Sequence, residues 1–428
     1  MLYAIKPSQP VPRASTLIRE PTDEGGHDSD DMRQVLRTAL RTFKGTPLPI
    51  SQLRVYADYL ETMAFAGPTR WFAAPSMLAW SWREYFELAD RIEEQLDTDG
   101  ADPEAEQTKR ILVSAMTLLT SRVLAFGAQE ARQDPRVISV PLLATAARAS
   151  SRTRRWCSDE EPGKPQMMGV LSYSVIDIAS QAVERLTRDD TCTGDLVRET
   201  TGALDEVLAT LKQLAQRHTT EGYFDEGIGG HQSGQPSRAV RALQGLAWSH
   251  DVLGQAGLLP KQKQLDELLA LLETLWHDAH GRANERRGLV RTTAHLSSAW
   301  TTILESGAST STHAATRCLW IARQASASVG GDLVLAHALL DVTQSVAALA
   351  GVSIQKGNPR GVGIAMRTSD LVRTIVRRCG DTLSQEVVAA SVENLSRVAS
   401  EARDRKFPNA AQLSEQLRTL LASSAQPL

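Results

Sequence analysis

The sequence predicts an all-α protein, an irregular helical array or multi-helix bundle with no significant β-sheet. Three observations carry that expectation. Ala, Leu, Arg, Gln and Glu, all strong helix formers, dominate a chain of 428 residues in which aromatics make up only 5%. Apolar residues recur at spacings of three and four, and no segment fits strict alternation better. In the C-terminal half, glycines fall at intervals that match one helix and its turn.

Taken in order, residues 1–28 hold Pro7, Pro10, Pro12, Pro21 and the Gly25-Gly26 pair without helical periodicity, so a disordered or loosely packed arm is expected. Met1 to Arg19 lacks the continuous apolar core of a signal peptide. An N-terminal helical domain is expected over 29–157. Within it, Leu78, Trp82, Tyr85, Phe86, Ala89, Ile92 and Leu96 line one helical face. Asp102-Pro103-Glu104 then reads as an N-cap, a first-turn proline and an acid at the positive dipole end. A charged linker with two prolines is expected over 158–167, central helices over 168–220 and a glycine-rich loop over 221–236. Among the central helices, Leu204, Val207, Leu208, Leu211, Leu214 and Ala215 repeat the helical pattern.

A C-terminal helical domain is expected over 237–428. Leu265, Leu268, Leu269, Leu272, Leu275 and Trp276 form a stripe opened by Pro260, and Thr382 with Gln385 reads as a capping box ahead of Val388, Val392, Leu395 and Ala399. Helix stops are expected at Gly257, Gly281, Gly307, Gly330, Gly351 and Gly380, with Trp248, Trp276, Trp300 and Trp320 one per helix between them. A helix pair then spans about fifty residues, near the length of a HEAT-like repeat. That regularity favours an array over a plain antiparallel bundle.

Charge and cysteine usage narrow the functional classes. A net charge of −3 does not advertise a polyanionic partner. Arginine greatly outnumbers the nine lysines, which fits the codon bias of a high-GC bacterial genome. Cys157, Cys192, Cys318 and Cys379 show no CxxC spacing, so reduced thiols are expected, with no zinc knuckle and no disulfide scaffold. The most apolar stretches, Ile111–Ala128 with Arg122 inside it and Leu333–Ile354 with His337 and Asp341, read as buried core helices, so no membrane span is expected. A cytoplasmic location follows, although a flexible polar N-terminus is also compatible with secretion as an injected effector.

Seven of the nine histidines fall after residue 230. His250-Asp251 and His277-Asp278 are adjacent pairs on expected helices, with His280 close by. In an all-α chain the first pair resembles the HD phosphohydrolase family, in which an upstream histidine, an HD pair and a distant aspartate bind a divalent metal. The resemblance implies His250 and Asp251 as ligands, His218 or His231 upstream, Asp341 as the distant acid and a metal-activated water as nucleophile. It is carried by single residues, and the apolar residues and glycine that frame the family's pair are not evident around Trp248–Val252. Helix-capping or surface histidines are the simpler account, and His277 and His280 beside Gly281 suit it.

Two further candidates concern binding. Arg132, Arg136, Arg148, Arg152, Arg154 and Arg155 are opposed within 132–155 only by Asp134, and Arg148, Arg152 and Arg155 share one helical face. Such a stripe would grip phosphates, unless acids such as Asp159, Glu160 and Glu161 neutralise it. Arg373, Arg377 and Arg378 form a smaller patch. The loop Gly227–Gly234 would present backbone amides to an anion, with Tyr223, Phe224 and His231 as candidate contacts. It lacks the Lys-Ser/Thr of a P-loop, so a flexible connection is the plainer reading.

No nucleophile elbow, HExxH, CxxC or kinase set is visible, and no cofactor is expected. The leading expectation is a non-enzymatic helical scaffold or adaptor that binds a protein partner. A nucleic-acid-associated accessory protein using the 132–155 arginines and an HD-type phosphohydrolase are the alternatives.

Overall fold

The computed structural model of the protein describes residues 34, 37–41, 47–66, 87–96, 102–133, 138, 140–156, 164–188, 194–217, 235–379, 383 and 385–424. These residues form helices and connecting turns, and no strand occurs among them. The chain divides into two compact units, Met1–Ala182 with Gly194–Ala203, and Val183–Thr193 with Leu204–Leu428. The expected arm at 1–28 and most of the linker and glycine-rich loop lie outside the described residues.

In the first unit, α1 (Ile50–Ala66) lies against α2 (Pro103–Gln133), which in turn contacts α3 (Val140–Trp156). Residues 87–96 are helical, and Leu88, Ile92 and Leu96 join Leu53, Leu60, Leu112, Met116 and Leu119 in one core. The start of α2 is the one the sequence specifies: the Glu104 N–H donates to Asp102 Oδ1 at 2.9 Å. Arg122, the charge inside the long apolar stretch, donates from Nη1 to the Ala64 carbonyl at 2.7 Å, at the negative end of α1.

Helices α4 (Lys164–Arg188) and α5 (Gly194–Arg217) each have residues in both units. The second unit continues through α6 (Arg238–Gln255), α7 (Gln262–Asp278), α8 (Ala283–Ser306), α9 (His313–Ser326), α10 (Leu333–Gln355), α11 (Arg360–Cys379), α12 (Gln385–Asp404) and α13 (Ala410–Ser424). Its packing is that of an array. The even-numbered helices α6, α8, α10 and α12 lie side by side in one layer, and α7, α9, α11 and α13 form the other. Each helix also meets its chain neighbour in the opposite layer. The first layer's helices begin at 238, 283, 333 and 385, so each pair takes up about fifty residues, close to a HEAT-like repeat.

Apolar periodicity decides what each helix buries. Leu265, Leu268, Leu269, Leu272, Leu275 and Trp276 of α7 are all buried, as are Val388, Val392, Leu395 and Ala399 of α12. The capping box expected at Thr382 falls outside the described residues, although α12 does begin at Gln385. Turn chemistry sets the rhythm. At the end of α6, Gly257 takes φ +82°, its N–H bonds to the Gly254 carbonyl and the Leu258 N–H reaches back to Leu253, a Schellman closure that needs a left-handed residue. Gly281 and Gly307 are left-handed as expected.

Two expected stops are displaced. Gly331, rather than Gly330, is left-handed, and Gly351 lies inside α10, which runs on to a stop at Gly357. Gly351 has another use: a Cβ there would lie 3.3 Å from Val398 of α12, so its small size admits the neighbouring helix.

Two helices, Pro103–Gln133 and Leu333–Gln355, are long and apolar enough to cross a membrane by length and composition, but their apolar windows are 62% and 61% buried within the structure. Cys318 and Cys379 are buried.

Candidate interaction surface

Polar contacts between successive repeats share the period of the array. In the first layer, Glu285 of α8 accepts from the Ser237 N–H and hydroxyl ahead of α6. Arg287 of α8 donates to Asp332, the N-cap of α10, at 2.8 Å. In the second layer, Arg317 of α9 pairs with Glu273 of α7, and Arg378 of α11 donates to the Ala327 carbonyl after α9 at 2.6 Å.

The histidine–aspartate residues singled out in the sequence belong to this framework. His250 is buried on α6 at 4% exposure, and desolvation pushes its pKa down to about 4. Its neighbour Asp251 accepts from Gln255 Nε2 at 2.9 Å and lies 3.2 Å from Nδ1 of His295, one repeat later on α8. Asp341, on α10, has its carboxyl pKa raised by desolvation, against which the charges of His337, Arg291 and His295 pull it down. Asp251 and Asp341 therefore both feel His295, across three neighbouring helices of one layer. His250 takes no part. His218 and His231 lie outside the described residues. Among the described residues no three His, Cys, Asp or Glu side chains converge to hold a metal ion. The ligand set implied by the HD resemblance is thus not assembled. His250 and Asp251 are both buried on α6, and Asp251 is engaged with Gln255 and His295 rather than with His250.

His295 was not singled out from the sequence. The signal that finds it is its distance of 44 residues from Asp251, one repeat length. The same logic locates His313, whose Nε2 lies 2.7 Å from Asp266 of α7, 47 residues earlier, while its Nδ1 is 2.6 Å from Ser311 Oγ. This carboxylate–imidazole–hydroxyl line sits beside the Arg317–Glu273 pair and joins the same two helices, and Trp300 meets the His313 ring edge-on at 5.1 Å. It acts as another tie between repeats.

The arginine stripe is also rearranged. Arg152 is buried at 7% exposure, paired with Asp90 and Glu93, with Nε donating to Glu93 at 2.8 Å. Arg132 donates to both carboxylate oxygens of Asp177, at 2.8 and 3.1 Å. Arg148 is exposed, whereas the side chain of Arg155 lies outside the described residues. A phosphate-gripping row through Arg148, Arg152 and Arg155 is therefore interrupted at its centre. The acids that neutralise it come from other helices, which helical spacing alone does not reveal. Tyr223, Phe224, His231 and the Gly227–Gly234 loop lie outside the described residues.

A different basic row exists along one edge of the second unit, where α7, α9 and α11 end and α8 and α10 begin. Arg286 stacks over Trp276 at 4.9 Å and reaches His280 and Ser328. Arg323 lies in the last turn of α9, and Arg377 and Arg378 lie in the last turn of α11. The hydrogen bonds of Arg286 to Ser328 and of Arg378 to Ala327 draw this edge together around the α9–α10 turn. Leu333 and Val334, the first residues of α10, are exposed at 39% and 46%, and Trp320 at 37% rests on His277 with ring centroids 5.3 Å apart. Arg373, grouped with Arg377 and Arg378 from the sequence, pairs with Asp370 at 3.3 Å instead.

No family model matches the chain, and no curated protein is similar to it at a significant level. Two solved structures are similar to the chain over most of its length. One is described as a circular tandem repeat protein with novel repeat topology and enhanced subunit contact surfaces. It is 17% identical, with 92% of this chain and 87% of that one covered and a TM-score of 0.40. Another is the hypoxic regulator of sterol synthesis Nro1, described as a nuclear import adaptor. It is 11% identical, with 92% and 99% covered and a TM-score of 0.30.

Proposed function

We propose that the protein is a non-enzymatic helical scaffold or adaptor whose C-terminal array binds a partner protein. The observation that carries this reading is the two-layer stacking of α6–α13. Each pair covers its neighbour's apolar face, so the core is continuous while both layers keep broad outer surfaces. Polar pairs such as Asp251 with His295 and Asp266 with His313 tie one repeat to the next. A rigid platform of this kind suits binding by surface complementarity.

The test is affinity purification of the full-length chain from its native cells, with and without nuclease. A protein that co-purifies in stoichiometric amount and survives nuclease is the expected result. Recovery of nucleic acid alone, or of no macromolecule, overturns the reading.

A further inference from the structure

We infer that the edge formed by the ends of α7, α9 and α11 binds an extended acidic segment of a partner protein, one with apolar residues between its acids. This rests on the scaffold reading and names the surface and the partner chemistry. Arg286 and Arg323 on the α8–α9 pair and Arg377 and Arg378 on the α10–α11 pair supply positive charge on two successive repeats, and Leu333 and Val334 at the start of α10 add exposed aliphatic side chains to the same edge. Arg323 and Arg377 are exposed in the last turns of their helices and have no ion-pair partner among the described residues.

Helix dipoles account for arginines at helix C-termini. They do not account for two aliphatic side chains left in water beside those arginines. Charge and apolar surface together match a peptide, since a carboxylate takes a forked guanidinium bond and an apolar side chain covers Leu333 and Val334. A phosphodiester backbone would meet the arginines but leave the aliphatics wet. Spacing agrees. Neighbouring helices of one layer lie roughly 8–10 Å apart, and an extended chain rises about 3.4 Å per residue. Acids about three residues apart would therefore meet successive arginines.

The experiment pans phage-displayed random peptides of about twelve residues against the full-length chain. Enriched peptides are expected to hold Asp or Glu at intervals of about three, with Leu, Ile, Val or Phe between them. A synthetic copy should bind at least tenfold more weakly to an R323E/R377E variant, and more weakly as salt rises from about 50 to about 200 mM. An R360E variant, altered at the exposed start of α11 and so at the opposite end of that helix from Arg377, should bind as the parent does. Circular dichroism and a melting curve establish that R323E/R377E is folded; if it is not, the single variants R323A and R377A replace it.

Peptides that enrich without acidic bias, or that bind R323E/R377E unchanged, overturn the edge while leaving the scaffold reading intact. Tighter binding through the same two arginines by a single-stranded oligonucleotide, or by phosphatidylserine vesicles, overturns the acidic peptide as occupant. Failure to enrich any peptide overturns the edge, and if the affinity purification also yields no protein, the scaffold reading falls with it.

Discussion

Glu285 places its carboxylate over both the backbone N–H and the hydroxyl of Ser237, 48 residues earlier, at 2.8–3.1 Å. The arrangement joins the starts of two parallel helices. Ser237 is the N-cap of α6, and its Oγ also accepts from the Val240 N–H at 3.3 Å, while Glu285 lies in the first turn of α8. One buried carboxylate thus meets the positive ends of two helices. Replacing Glu285 with Ala strands the Ser237 N–H and removes that charge, at an expected cost of about 3 kcal/mol. Ser237→Ala should cost about 1–2 kcal/mol, the value of a lost cap. Urea unfolding of both variants and the double variant checks this. Additive effects would mean that the two residues do not act together.

Arg152 carries a second prediction, which separates its structural role from the phosphate-binding one. It is buried between Asp90 and Glu93, so Arg152→Ala leaves two acids facing each other without their cation. A loss of about 3 kcal/mol is expected. Arg148→Ala, at an exposed position of the same helix, should change stability by less than about 0.5 kcal/mol. If the two substitutions prove equally mild, the buried pairing is wrong.

These two cases show what was legible in the sequence. The apolar stripe of α7, the Asp102 cap of α2 and the glycine stops at 257, 281 and 307 are local, set by residues a few positions apart, and they appear where spacing places them. The partners of Arg152 and His295 lie 59 and 44 residues away. Helical periodicity reports which residues share a face, but not which helix that face meets. His250 illustrates the limit: the HD dipeptide invites a metal, yet both its members are buried and Asp251 is bound into a tie with His295, one repeat away. The array's period was itself readable, and laid over the sequence it brings Asp251 to His295 and Asp266 to His313.

The buried His250 should make stability fall in mild acid. Desolvation holds its pKa at about 4, against 6.5 for the free side chain, so the fold favours the neutral ring. The unfolded chain binds this proton more readily. Its contribution to stability is therefore complete above pH 6.5 and is lost progressively as pH falls from 6.5 toward 4. The full effect is about 3 kcal/mol, from the conversion of about 1.4 kcal/mol per pH unit. Carboxylates also contribute to acid unfolding, so the informative quantity is a difference. Urea midpoints of the parent and of His250→Gln, measured between about pH 7 and about pH 4, should converge as pH falls. Parallel profiles would show that His250 is not held neutral by burial.

Two glycines near the start of α11 should respond to alanine with opposite signs. At Gly361, a Cβ would lie 2.7 Å from the Ala350 carbonyl oxygen and 2.7 Å from Ile354 Cγ1, both on α10. The first of these is backbone and cannot rotate aside, so α10 and α11 must separate. Overpacking of this kind costs about 2 kcal/mol. At Gly363, one turn face away and exposed, nothing lies within 4 Å of the added carbon. There Gly363→Ala only removes freedom from the unfolded chain, and a gain of about 0.5–1 kcal/mol is expected. Both substitutions raise helix propensity equally, so any difference between them measures the α10–α11 approach. Unfolding curves for G361A and G363A settle the matter, and stabilisation by both would mean that the two helices stand further apart than this packing requires.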